Sequence, residues 1–236
     1  MERPYIICHI MSALDGKITG AFMGTKTAQT VSEEYARIRS EYQADAWLYG
    51  TVTTKEFTQG RKPELSSVTE VPDGDFVEEN DVELYYVSVD TQGEIGWESG
   101  IFRKAGRPDA HVIEVLTERT APAYRAYLRK RGVSYILAGS EMLDSKIVAE
   151  KLYRLFGIGT LLICGGGTIN WIFLQQGAVD ELSLLLAPAA DGNPDSVTVF
   201  EKSELLPPSD PAVFQLKNVE RLKGDGIRLV YMVSNK

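Results

Sequence analysis

Three consecutive glycines, Gly165, Gly166 and Gly167, separate the apolar run LLIC from a segment of helical character that begins at Thr168. One glycine is enough to turn a strand into a helix, so three point to backbone that must come close to something else. A glycine-rich turn opening a helix presents bare N–H groups and the positive end of the helix dipole, the chemistry of a phosphate cradle. A second phosphate-compatible stretch is GTVT at 50–53, after the apolar run AWLY: Gly50 allows close approach, and Thr51 or Thr53 offers a hydroxyl and an N–H. A third feature is SALDGKI at 12–18, where a carboxylate, Asp15, sits at a strand end beside Ser12 and Lys17. In that setting it is placed to polarise a substrate amino or hydroxyl group, although Asp-Gly is also a common turn pair and a plain turn accounts for the dipeptide alone.

Several function classes fall away on the same residues. After Gly167 the next glycine is Gly177, so the triplet is not the GxGxxG of a dinucleotide-binding Rossmann turn, and there is no GxxxxGK[ST] of a P-loop. Lys and Arg number 25 against 33 Asp and Glu, a net charge of −8 that argues against an extended nucleic-acid surface. The longest apolar runs fall far short of the ~20 residues a bilayer span needs, and MERPYIICHIM lacks a cleavable signal pattern, so the expectation is a soluble, cytoplasmic protein. Cys8 and Cys164 both lie in apolar runs and read as buried free thiols. With His9 and His111 as the only imidazoles, a His/Cys zinc centre has almost no ligands, and no metal site is expected.

The elements that must position these residues alternate between apolar runs and helical periodicity, the pattern of an α/β domain with a largely parallel sheet. Strands are predicted near 5–11, 46–49, 83–89, 111–116, 134–137 and 160–164, and helices over 32–43, 122–131, 145–156 and 168–176. From Asp180 the segments DELSLLLAP, SVTVF, AVFQLKNVERL and GIRLVYMV read as strands joined by Pro, Gly and Asp turns, predicting antiparallel completion of the sheet. Residues 60–82, with Pro63, Pro72, Gly74 and seven acidic residues, lack periodicity; they read as a solvated excursion, with a loop closing over a ligand as the alternative. No linker or repeat divides the chain, which predicts a single domain over 1–236.

In this order, SALDGKI, ADAWLYGTVT, VSVDTQG, GTLLICGGGTI and GAVDELSLLLAPAADG resemble the reductase domain of the riboflavin-biosynthesis deaminase/reductase family (the RibD C-terminal domain), a branch of the dihydrofolate-reductase-like fold. The resemblance implies a three-layer α/β fold with a mixed, mostly parallel sheet of eight to nine strands, flanking helices and antiparallel C-terminal strands. It implies NADPH bound across the carboxyl ends of the strands, a pyrimidine- or pterin-like substrate and a homodimer. It assigns Gly165, Gly166, Gly167 and Thr168, with Gly50, Thr51 and Thr53, to the cofactor, and places Thr117 and Arg119 at its adenosine end. Asp15 matches the family's strand-end aspartate and leads the catalytic candidates, ahead of Ser12 and Lys17. A non-prolyl cis peptide is implied within the glycine pair. Three features depart from the pattern: Cys164 stands where a glutamate is common, KEFTQGRKPEL does not reproduce a D-x-P-x-L motif, and the deaminase zinc ligands are absent. The implied activity is hydride transfer of the 5-amino-6-(5-phosphoribosylamino)uracil reductase type, and the alternative is a non-catalytic NADP(H)-binding module of the same fold.

Overall fold

The computed structural model describes residues 2–67, 70–202 and 206–234. In chain order its elements are β1 (Tyr5–Ser12), α1 (Lys26–Glu41), β2 (Ala46–Gly50), α2 (Thr51–Phe57), β3 (Tyr85–Val89), β4 (Ile101–Phe102), β5 (Ala110–Leu116), α3 (Pro122–Lys130), β6 (Ser134–Leu137), α4 (Ser145–Phe156), β7 (Thr160–Ile163), α5 (Gly167–Gln175), β8 (Glu181–Leu186), β9 (Phe214–Arg221) and β10 (Ile227–Val233). The α/β class, the mostly parallel strands and the antiparallel C-terminal pair are as expected, with ten strands among the described residues against the expected eight to nine. These elements pack as two compact units, one of residues 2–4 and 45–159, the other of 5–44 and 160–234. Each unit is built from two separate stretches of chain, which is why no linker or change of composition marks a boundary.

In the unit of 45–159, β2 pairs β3, β3 pairs β5 and β5 pairs β6, all parallel, with the short β4 antiparallel to β5. β2 and β5 are buried along their whole length, as expected of parallel strands covered on both faces. The excursion at 60–82 ends as cover for β6. Phe76 and Tyr135 exchange backbone hydrogen bonds of 2.9 Å, and the Asp75 carboxylate accepts from Leu137 N (2.9 Å) and Lys151 Nζ (2.8 Å). Such cover blunts a strand edge that would otherwise be open to pairing.

In the unit of 5–44 and 160–234, β1 lies between β7 and β8, parallel to both, and β10 runs antiparallel between β8 and β9. Helix α1 begins six residues before the predicted start. Thr25, not Ser32, is the N-cap, its Oγ1 accepting from Ala28 N at 3.3 Å, so the acidic pair after Ser32 lies mid-helix. α1 packs Ala28, Val31 and Ile38 against Met11, Leu185 and Ala187. Of the predicted late strands, residues 196–200 form only a single bridge, Lys17 to Thr198.

Candidate functional site

At the carboxyl end of β7 the three glycines serve three different needs. Gly165 has φ +104°, a region that side chains rarely adopt, and a Cβ there would lie 3.3 Å from Ile10 Cδ1. A Cβ on Gly167 would lie 2.3 Å from the Thr198 carbonyl oxygen. Gly166, at φ −82°, could carry a Cβ with nothing within 4 Å, and it is the N-cap of α5 with no side chain capping the helix. Thus two of the glycines are required by the fold and the middle one faces open space. The Gly165–Gly166 peptide is cis, as the resemblance implied. Thr168 follows, exposed in the first turn of α5.

The predicted catalytic trio lies in the same unit, at and beyond the carboxyl end of β1. Ser12 is buried, and its Oγ has no hydrogen-bond partner among the described residues. Strand alternation puts Ser12 on the face of β1 that carries Ile10, the residue against Gly165. Asp15 is exposed, and its Oδ2 accepts from Gly192 N (2.8 Å) and Asp191 N (3.0 Å). The Gly192 hydrogen bond, first among these contacts, holds the carboxyl below its ordinary pKa, so Asp15 is an ion. Lys17 Nζ donates to the carbonyls of Ser196 (2.7 Å) and Pro194 (3.1 Å). Asp15 and Lys17 therefore clasp the segment after β8, whereas Ser12 is left unpaired.

That segment, read from the sequence only as part of a late strand, connects the two motifs. Ile18 N donates to Val197 O (2.8 Å), Val199 N to Gly16 O (3.0 Å) and Glu201 N to Gly167 O (3.1 Å). Asn170 Nδ2 donates to Val199 O at 2.8 Å. Residues 197–201 thus stitch the Asp15 turn to the glycine turn. The available signal was DGNPDS at 191–196, a dense run of turn formers directly after β8.

In the other unit, Gly50 ends β2 beside Val89 of β3. Thr51 Oγ1 donates to Val89 O at 2.7 Å, so its hydroxyl is used in tying β2 to β3; Thr53 Oγ1 makes no hydrogen bond among the described residues. The GTVT stretch opens α2, a helix absent from the sequence reading because Val52, Thr51, Thr53 and Thr54 are poor helix formers. Beyond the ends of β3 and β5, Thr117 and Arg119 line a cavity of about 390 Å³ with Thr91, Gln92, Thr120 and Glu141. Thr117 is 2% exposed, and its hydroxyl has no hydrogen-bond partner among the described residues. Helix α3 starts at this cavity with Ala121 as N-cap, again with no side chain closing it. Unpaired N–H groups and hydroxyls around a cavity suit an anionic, hydroxyl-rich ligand, and the nicotinamide dinucleotide implied by the resemblance fits that donor set. No group of His, Cys, Asp and Glu able to hold a metal ion occurs among the described residues.

The model of the RibD C-terminal domain family matches residues 4–227. The chain belongs to this family. As a RibD C-terminal domain it is an oxidoreductase of the riboflavin-pathway type and uses a nicotinamide cofactor. It is 30% identical over 98% of its length, and 99% of the relative's, to a 2,5-diamino-6-ribosylamino-4(3H)-pyrimidinone 5′-phosphate reductase of Methanothermobacter thermautotrophicus. It is 26% identical to an Aquifex aeolicus reductase of the same name, over 84% of this chain and 83% of that one. Among solved structures, a pyrimidine reductase-like protein from Corynebacterium diphtheriae superposes with a TM-score of 0.70 at 16% identity, covering 99% of this chain and 93% of that one. Acinetobacter baumannii RibD superposes with a TM-score of 0.63 at 22% identity; 98% of this chain is covered, but it spans only 58% of that one. No helix among the described residues is long and apolar enough to cross a membrane.

Proposed function

We propose that this chain is an NADPH-dependent reductase of a phosphoribosylated aminopyrimidine, with 2,5-diamino-6-ribosylamino-4(3H)-pyrimidinone 5′-phosphate as substrate. The observation that carries the cofactor half is Gly166, which faces open space at an uncapped helix start between two glycines that the fold itself requires. In this reading Gly165 to Thr168 receive the pyrophosphate, with Gly50 and Thr51 as further backbone contacts and Thr53 as a hydroxyl contact. Thr117 and Arg119 receive the adenosine end, where the guanidinium favours the 2′-phosphate of NADPH. The substrate is taken from the relatives, whose shared name carries an amino group at C2 where the uracil expected from the resemblance carries oxygen.

The nicotinamide, when bound, would supply hydride to C1′ of the ring-opened imine, and solvent would supply the proton to the imine nitrogen, leaving a ribityl chain on the amine. The protein's contribution is alignment and charge. Ser12 is first among the substrate contacts because its hydroxyl is buried and unpaired. Asp15, held as an ion by its two backbone donors, orients rather than donates a proton, and Lys17 holds the 194–198 segment that completes its surroundings. A homodimer is part of this reading: β9 is an edge strand whose Leu216 and Val219 are each more than half exposed, an apolar edge that a second copy would cover. The location is cytoplasmic.

The test is NADPH oxidation with the phosphoribosylated diaminopyrimidinone, with the ribityl product identified by mass spectrometry. Turnover supports the reductase. Tight NADPH binding with no turnover on this substrate, its uracil counterpart or dihydrofolate establishes instead the cofactor-binding module.

A further inference from the structure

The cavity beyond β3 and β5 holds two opposite charges at one end. Arg119 Nη1 lies 3.8 Å from Glu141 Oε1, and both side chains are largely exposed, at 69% and 74%. Around them stand three threonines: Thr117 with its unpaired hydroxyl, Thr120, whose Oγ1 reaches Thr91 O at 3.4 Å, and Thr91 itself. The uncapped start of α3 adds further donors. A ligand anion here meets one guanidinium, several neutral donors and one carboxylate.

We propose that Glu141 sets the ratio in which this chain takes NADPH and NADH. The inference rests on the reading of this cavity as the adenosine end. An arginine accommodates a 2′-phosphate, whereas an acidic side chain accepts from a free 2′-hydroxyl, and this cavity carries one of each. Glu141 opposes NADPH in two ways: it draws the Arg119 guanidinium to itself, and it repels a phosphate of charge about −1.5 to −2. Toward NADH it does neither. The pair is exposed and separated by more than ordinary hydrogen-bond distance, so Glu141 moderates the preference and does not reverse it. Exposed pairs of this kind are worth about 0.2–1 kcal/mol, or up to roughly fivefold in binding, and direct repulsion of the phosphate adds to that.

The test uses 2′,5′-ADP and 5′-ADP as probes, with binding measured by calorimetry, so that no turnover is required. Glu141→Gln is expected to tighten 2′,5′-ADP about threefold to tenfold while leaving 5′-ADP within about twofold. Arg119→Gln weakens 2′,5′-ADP alone, and in the double variant the effect of removing Glu141 shrinks, because the two residues are coupled. The gain from Glu141→Gln also falls as salt is raised. Melting curves without ligand establish that each variant is folded. If both probes bind but Glu141→Gln changes them equally or not at all, the proposal for Glu141 is overturned while the adenosine-end reading survives. If NADPH binds and neither probe competes with it, the cavity is not the adenosine end and the proposal falls with that reading.

Discussion

Substituting alanine in turn for Gly165, Gly166 and Gly167 separates backbone that the fold needs from backbone that a ligand needs. On Gly167 the new Cβ would lie 2.3 Å from the Thr198 carbonyl oxygen and 3.0 Å from Glu201 Cγ. A backbone carbonyl cannot swing aside as a side-chain tip can, so the 197–201 segment must shift, and overpacking of this kind costs about 1–3 kcal/mol. On Gly165 an L side chain would be strained by φ +104°, at about 1–2 kcal/mol, besides pressing on Ile10. For a chain of this size each kcal/mol lowers Tm by roughly 2–4 °C, so Gly167→Ala is expected to melt about 2–12 °C lower and Gly165→Ala about 2–8 °C lower. Gly166→Ala is different: φ is −82° and nothing lies within 4 Å. Its Tm should hold or rise slightly, because alanine restricts the unfolded chain. With saturating NADPH the ordering of phenotypes reverses. At 100 times Kd a ligand adds about 2.7 kcal/mol to the wild type, a shift of roughly 5–10 °C, and Gly166→Val should lose that shift relative to its own unliganded Tm. Differential scanning fluorimetry with and without cofactor reads both quantities. A Gly166→Val protein that keeps the full NADPH shift would refute the cradle; a Gly167→Ala protein that melts like wild type would refute the packing argument.

Ser12→Ala removes a buried hydroxyl that has no partner, so stability should stay level or rise while kcat/KM falls by about tenfold or more, measured by NADPH oxidation. Asp15→Asn should lower kcat without altering the shape of the pH-rate profile above about pH 5, because the native carboxylate is already ionised throughout that range; loss of a neutral-range limb in the variant would mean that Asp15 gives or takes a proton. His9, buried between Tyr35 and Ser183, is pushed down to about 3 chiefly by burial. Folding therefore favours its neutral form: the stability it carries is complete above the unfolded value of about 6.5 and is lost as pH falls toward 3, a loss that urea melts should show in wild type and largely miss in His9→Gln. Leu216→Lys on the exposed edge strand should shift sedimentation from dimer to monomer, and a wild-type monomer at micromolar concentration would remove the dimer from the reading.

The fold was legible where local chemistry is dense. Buried parallel strands announce themselves as continuous apolar runs, and α3 and α4 begin at the predicted residues 122 and 145, the first with Pro122 in its opening turn and the second capped by Asp144. Less was legible of the site, because its decisive relations are non-local. Nothing near Gly167 in the sequence indicates that the Thr198 carbonyl will press on it, and nothing near Asp15 indicates that the amides of residues 191 and 192 will take up its carboxylate. Nor does anything near Lys17 indicate that its ammonium will hold the carbonyls of residues 194 and 196, almost 180 residues away. Glu141 carried no local signal either, since its significance comes only from the proximity of Arg119.

The way each unit treats polar side chains separates support from function. Within the strands, polar groups are either paired or kept neutral. Asp90 accepts from the amides of Gly93, Glu94 and Ile95 and from the Tyr124 hydroxyl, and Glu114, fully buried and bonded to the Trp97 indole, has its pKa raised well above the ordinary range by burial. His9 lies neutral between Ser183 and the Tyr35 carbonyl. These arrangements avoid the cost of an unpaired charge in the interior and leave no spare donor facing a cavity. Two hydroxyls stand at equivalent places, the carboxyl ends of parallel strands β1 and β5: that of Ser12 is buried without a partner, and that of Thr117 has no hydrogen-bond partner among the described residues. Thr117 stands on the wall of a cavity, and Ser12 on the strand face that meets the glycine turn. Open α/β sheets bind ligands beyond the carboxyl ends of their strands, because there the strands stop supplying partners and the following helices begin with unpaired N–H groups. Within each unit, the unsatisfied hydroxyl and the uncapped helix start, Ser12 with Gly166 in one and Thr117 with Ala121 in the other, are consequences of that geometry, and donors of this kind suit phosphate and hydroxyl oxygens as acceptors.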